Sequence, residues 1–123
     1  MTSLVNHPER NLVSVQLAQN QVLKELDDGD RRELESLLTV VDARKGQLLV
    51  HQGVREMEQY FILDGVLKRV VSNAEGKEMI LRFAAERDME TSYAAWRLGT
   101  PTPYAFVTQT MAYGVGVPSR HAA

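Results

Sequence analysis

Apolar residues recur at two spacings along the chain, and the spacing changes near residue 39. In the first part Leu12, Val15, Leu23 and Leu26, with Val22 beside them, fit one stripe of a short helix between Leu12 and Leu26. Asp27, Asp28 and Gly29 break that pattern. Asp30 and Glu33 then stand at capping-box spacing, where one carboxylate accepts a free backbone N–H at the helix start and the other reaches back. They predict a second helix over Arg31 to Leu38, with Leu34, Leu37 and Leu38 on its packing face. Residues 1–11 are polar, contain Pro8 and read as a flexible N-terminal arm.

From Thr39 onward short apolar runs alternate with turns. Val40-Val41, Leu48-Leu49-Val50, Tyr60 to Leu63, Val66 to Val71, Met79 to Phe83, Tyr104 to Thr108 and Ala112 to Val117 read as strands. Between them fall Arg44-Lys45-Gly46, Gln52-Gly53, Asp64-Gly65, Asn73 to Gly76 and Gln109-Thr110, with Asp64-Gly65 as a tight hairpin reversal. Gly46, Gly53, Gly65 and Gly76 are structural turn glycines, since a reversal with positive φ costs glycine little and a branched residue a great deal. Seven or eight short strands behind two helices predict a β-barrel, sandwich or jelly roll.

Composition narrows the function. The chain has 123 residues, 44% hydrophobic and 24% charged, so one folded domain is expected. Its 14 basic and 16 acidic residues give a net charge of −2 and form no basic stripe, which disfavours DNA binding by this chain alone. No cysteine is present, which excludes disulfides, thiol catalysis and cysteine-held iron–sulfur clusters. No sustained apolar run suits a signal peptide or a membrane span, and a cytoplasmic setting is the expectation.

The run Lys45-Gly46-Gln47, Gln52-Gly53 and Tyr60-Phe61-Ile62-Leu63-Asp64-Gly65-Val66-Leu67-Lys68 resembles the first half of a cyclic-nucleotide-binding domain of the Crp/Fnr regulator type, and Gly76-Lys77-Glu78 followed by Met79-Ile80-Leu81 resembles its next hairpin. The likeness runs from about Leu23 to Pro118. It implies a mainly β double-stranded β-helix jelly roll behind N-terminal helices, spanning residues 12–118, with 119–123 as a tail. It also implies an effector pocket beside a phosphate-binding cassette, where a helix starting at Gly-Glu and a later Arg-Ser/Thr grip a cyclic phosphate.

With Asp88 at the family's Gly-Asp step, the cassette reads Met89-Glu90-Thr91-Ser92-Tyr93-Ala94-Ala95-Trp96, and Thr91-Ser92 replaces Gly-Glu. Thr102-Pro103-Tyr104-Ala105 occupies the Arg-Ser/Thr-Ala run, so Pro103 stands where the phosphate-binding arginine is expected. A register shifted by two makes Glu90 the cassette carboxylate but supplies no arginine, because Arg97 falls well before the strand. A buried phosphate without a cationic partner is costly, so cyclic AMP or GMP is not expected to bind in the usual mode. The effector-pocket candidates are Met89, Glu90, Thr91, Ser92, Tyr93, Trp96, Pro103 and Tyr104. Tyr93 and Trp96, at i and i+3, share one helix side that serves core packing or a ligand.

Other sensing chemistries find little support. The missing cysteines exclude an Fnr-type iron–sulfur sensor, and His51 is the one interior candidate for a haem ligand among His7, His51 and His121. Met57, Met79, Met89 and Met111 are candidates for an adaptable apolar pocket. No His-x-His pair of a cupin metal site occurs, nor a Gly-x-Ser-x-Gly elbow, nor a Gly-rich phosphate loop, so neither an enzyme nor a metal site is expected and no cofactor is assigned. Complete regulators of the resembled type continue into a dimerisation helix and a helix-turn-helix domain. The sequence runs Gly114 to Ala123 where that helix is implied, so the expectation is an effector-sensing domain without its output half, as a monomer or weak homodimer. The alternative is a barrel scaffold that acts as a protein-interaction module and holds no small molecule. Apolar side chains plugging the barrel beside residues 89–107 favour the scaffold, and a polar interior favours the sensor.

Overall fold

The computed structural model describes residues 2–55 and 57–117, the side chain of Val117 excepted. The expected tail at 119–123, Pro118 and His121 lie outside the described residues. Among the described residues nine strands and three helices follow in the order β1 Thr2–Ser3, α1 Arg10–Ala18, α2 Asp28–Glu35, β2 Thr39–Ala43, β3 Leu48–Val50, β4 Gln59–Asp64, β5 Leu67–Ser72, β6 Glu78–Ala84, β7 Met89–Thr91, α3 Tyr93–Arg97, β8 Ala105–Thr108 and β9 Ala112–Val117. Short 3-10 turns occupy Leu4–Asn6 and Leu23–Glu25.

The strands form two antiparallel sheets in the orders β1-β2-β9-β4-β7 and β3-β8-β5-β6, the two-layer jelly roll that the strand spacing predicts. Phe61, Ile62 and Leu63 are all buried, because β4 is covered on both faces. Phe61 and Leu63 pack outward with Val40 and Val115 against Val13 and Leu17 of α1 and against Leu23 and Leu38. Ile62 faces inward with Leu67, Ala84, Leu49 and Ala112, around a space of only about 20 Å³.

Several local expectations are corrected. The helix expected over Leu12 to Leu26 ends at Ala18, because the buried Asn20 accepts from Val22 and Leu23 N–H and turns the chain. Its buried stripe is Val13 and Leu17, while Leu12, Val15 and Val22 are exposed. The second helix starts three residues earlier than expected, with Asp27 rather than Asp30 as the cap: its carboxylate accepts from the Asp30 N–H at 2.8 Å. Leu38 is buried and Leu34 half-buried, but Leu37 is exposed. The arm expected over residues 1–11 is ordered by pairing, since Thr2–Ser3 join β2 and Leu4 is buried in the helix-side core.

Gly46, Gly53, Gly65 and Gly76 all adopt φ between +79° and +94°, as turn glycines must. Gly65 does not close a hairpin, however. β4 and β5 belong to different sheets, so the turn at Asp64-Gly65 carries the chain from one layer to the other. A Cβ at Gly65 would lie 2.4 Å from the Met111 carbonyl oxygen, which adds a steric demand to the conformational one. The hairpin expected at Asn73 to Gly76 does form, joining β5 to β6, and the Asn73 side-chain oxygen accepts from the N–H groups of Glu75 and Lys77.

Candidate functional site

The interior of the jelly roll is divided. Its apolar half is the Ile62–Leu67 cluster with its water-sized space. Its other half is built where β7 pairs with β4. Tyr60 stands opposite Glu90 and Phe61 opposite Met89, so alternation along the strands sends Met89 outward to the helix-side core and Glu90 inward. Glu90 is only 1% exposed.

A buried carboxylate requires donors, and β5 supplies them. Arg69 grips Glu90 side-on through two parallel bonds, Nη2 to Oε1 at 3.0 Å and Nε to Oε2 at 3.1 Å. Arg82, the cross-strand partner of Arg69 on β6, places Nε 3.5 Å from Glu90 Oε1 and Nη2 4.0 Å from Asp88 Oδ2. The Arg69 guanidinium also lies over the Tyr104 ring, 4.3 Å from its centroid, and that ring stacks on Phe106 at 5.3 Å. Two guanidiniums thus face two carboxylates, and the cluster carries no surplus positive charge for an incoming anion.

The sequence-predicted residues separate into those the fold gathers and those it does not. Glu90 and Tyr104 meet through Arg69. The Tyr104 hydroxyl donates to the Thr91 carbonyl at 2.8 Å, tying β8 to β7. Ser92, fully buried at the N-cap of α3, accepts from the Glu58 N–H at 3.0 Å and so fixes the chain entering that helix. Met89 belongs to the helix-side core and does not reach the interior. Tyr93 and Trp96 share one side of α3, ring centroids 5.9 Å apart, with Tyr93 exposed and Trp96 half-buried. Pro103 is exposed and supplies neither a charge nor an N–H, while its buried neighbour Thr102 donates its hydroxyl to the Val54 carbonyl at 2.9 Å.

Three residues outside that candidate set, Arg69, Arg82 and Tyr60, belong to the site. Arg69 and Arg82, missed in the sequence reading, were signalled by an arginine inside the apolar run Val66 to Val71 and another inside Met79 to Phe83, where strand alternation leaves a charge no cheap inward position without a partner. Arg97 is exposed on α3 and takes no part in the cluster. Tyr60, on the inward face of β4, lies 3.4 Å from both the Leu49 carbonyl and Glu58 Oε2. Burial, reinforced by the Glu58 charge, pushes its phenol well above the usual tyrosine range.

The expectation of a methionine-lined pocket is corrected. Met79 and Met111 are exposed, Met57 is half-buried, and Met89 serves the outer core. His51 is exposed in its turn. Among the described residues no group of three or more His, Asp or Glu is placed to hold a metal ion, and no helix is long and apolar enough to cross a membrane.

A scan against protein-family models and a search of curated proteins return no match. Solved structures with the same fold do match. The chain superimposes with a TM-score of 0.78 on the regulatory subunit of a cAMP-independent protein kinase A from Trypanosoma cruzi bound to guanosine, at 19% identity over 91% of this chain and 39% of the other. The regulatory domain of Toxoplasma gondii PKA with cAMP gives 0.72 at 14% identity, covering 90% of this chain and 41% of that one. The N-terminal domain of a transcriptional regulator from Streptomyces coelicolor A3(2) gives 0.66 at 20% identity, covering 82% and 70%. The chain therefore has the jelly-roll fold of cyclic-nucleotide-binding domains, and it spans less than half the length of the two kinase regulatory chains.

Proposed function

We propose that this chain is a non-enzymatic effector-sensing domain of a Crp/Fnr-type transcription regulator, acting in the cytoplasm, whose effector is not a cyclic nucleotide held in the usual mode. The observation that carries the reading is the buried Arg69–Glu90 pair at the cassette: the barrel interior keeps a polar centre, but its cations are already neutralised by its own carboxylates. A cyclic phosphate entering there would have to displace Glu90 from Arg69, with Pro103 offering nothing in exchange. The Trypanosoma cruzi regulatory subunit is bound to guanosine, a nucleoside without a phosphate, and an uncharged ligand of that class fits this reading.

The reading is tested by a thermal-shift screen with cyclic AMP, cyclic GMP, haem and uncharged nucleosides or metabolites, because a ligand specific to the native state raises apparent stability by mass action. Stabilisation by a ligand lacking phosphate, with none from the cyclic nucleotides, is the expected result. Strong stabilisation by cyclic AMP at low concentration would overturn it.

The second reading, a protein-interaction scaffold, has its own observation. β6 is an edge strand, and Met79, Ile80, Leu81 and Phe83 are all exposed on it, with Met79 59% and Phe83 55% accessible. Apolar side chains grouped on an open edge mark a surface that a partner covers.

A further inference from the structure

Outside the barrel, the N-terminal elements enclose a cleft of about 340 Å³ between the Leu4–Asn6 turn, α1 and α2. The size is at the lower end of small-molecule sites, which run from about 300 to 1,000 Å³. Glu35, at the last position of α2, lines it and is only 8% exposed. Its Oε1 is shielded from solvent and has no hydrogen-bond partner. Arg10 and Arg32 line the same cleft, yet neither pairs with Glu35: Arg10 Nη1 instead donates to the Val5 carbonyl at 3.2 Å. Asn11 and Ser14 add an amide and a hydroxyl, and Leu4 and Val5 give one apolar wall.

These groups define a ligand by elimination. A carboxylate this deeply buried calls for a donor, and an ammonium satisfies it best. A purely cationic molecule would also face two guanidiniums, and a purely anionic one would meet the unpartnered carboxylate. A zwitterion matches both. Arg32 and Glu35 are three residues apart on α2, hence neighbours on its surface, so the two charges of the ligand must be close together. We propose that this cleft binds a free α-amino acid with an apolar side chain, its ammonium on Glu35, its carboxylate on Arg10 and Arg32, and its side chain against Leu4 and Val5. The site is independent of the reading of the barrel interior, which it does not touch.

Calorimetric titration of the whole chain with L-leucine, alongside thermal shift, tests the proposal. L-leucine is expected to bind and stabilise, while N-acetyl-L-leucine, which lacks the ammonium, and L-leucinamide, which lacks the carboxylate, are each at least about tenfold weaker. Glu35→Gln is expected to weaken L-leucine by at least about tenfold, and Arg32→Ala, at an exposed position that leaves the core intact, to do the same. Absence of binding by leucine, isoleucine, valine and methionine at about 10 mM overturns the proposal. So does equal binding of the acetylated compound, or wild-type affinity in Arg32→Ala.

Discussion

Each face of the paired stretch of β4 and β7 buries one residue, Phe61 outward and Glu90 inward, yet the two are built from opposite chemistry. On the outward face Phe61 and Met89 join Val13, Leu17 and Leu38 in a wholly apolar layer beneath the helices. On the inward face the adjacent residues Tyr60 and Glu90 look into the barrel, where Arg69, Arg82 and Tyr104 complete a charged and aromatic cluster. In a domain stabilised only by burial, the inside of the barrel would be the more apolar of the two. Here the outer layer supplies the larger apolar cluster, and the interior carries charged and aromatic groups beside a smaller apolar one.

Mutations on the two faces should therefore fail differently. Phe61→Ala removes a fully buried ring from the outer layer and should cost about 4 kcal/mol in urea unfolding, the largest single effect considered. Glu90→Ala leaves the Arg69 guanidinium without its carboxylate and should cost about 3 kcal/mol, toward the low end for a buried pair because the Arg69 side chain is 24% exposed. The double replacement Arg69→Met with Glu90→Leu should recover most of that loss, since a well-packed apolar pair often equals or exceeds a buried ion pair in stability. Such recovery, together with loss of effector response, would show that the pair is retained for recognition. A double variant as unstable as Glu90→Ala would make the cluster a structural necessity instead.

The smallest effect concerns Tyr60. Its folded phenol ionises above the unfolded value of about 10, so the unfolded chain loses a proton first as pH rises. The associated stability is fully present below that pH and declines above it. Unfolding free energy measured across the alkaline range should fall more steeply for the native chain than for Tyr60→Phe, and identical slopes would remove Tyr60 from the account.

The strands were readable because Gly46, Gly53, Gly65 and Gly76 punctuate them, and only positions needing positive φ demand that residue. Which sheet each strand joins was not readable: Asp64-Gly65 has the composition of a hairpin, and only the long-range pairing of β4 with β9 and of β5 with β8 shows it to be a crossing between layers. In α1, residues 12 and 15 are as apolar as 13 and 17, so spacing alone did not choose the buried pair. Asp27 and Asp30 are both competent caps, and the choice rested on where the chain turns after Leu26. At the site, the candidate residues from 89 to 104 included the carboxylate, but its arginines lie 21 and 8 positions earlier on strands whose register no local pattern encodes.

Calorimetric titration of cyclic AMP into the whole chain tests the central claim, a cyclic-nucleotide-domain jelly roll whose polar interior is satisfied by its own ion pairs. No saturable heat up to about 1 mM is the predicted result, and saturable binding with a Kd near or below about 10 µM would contradict it.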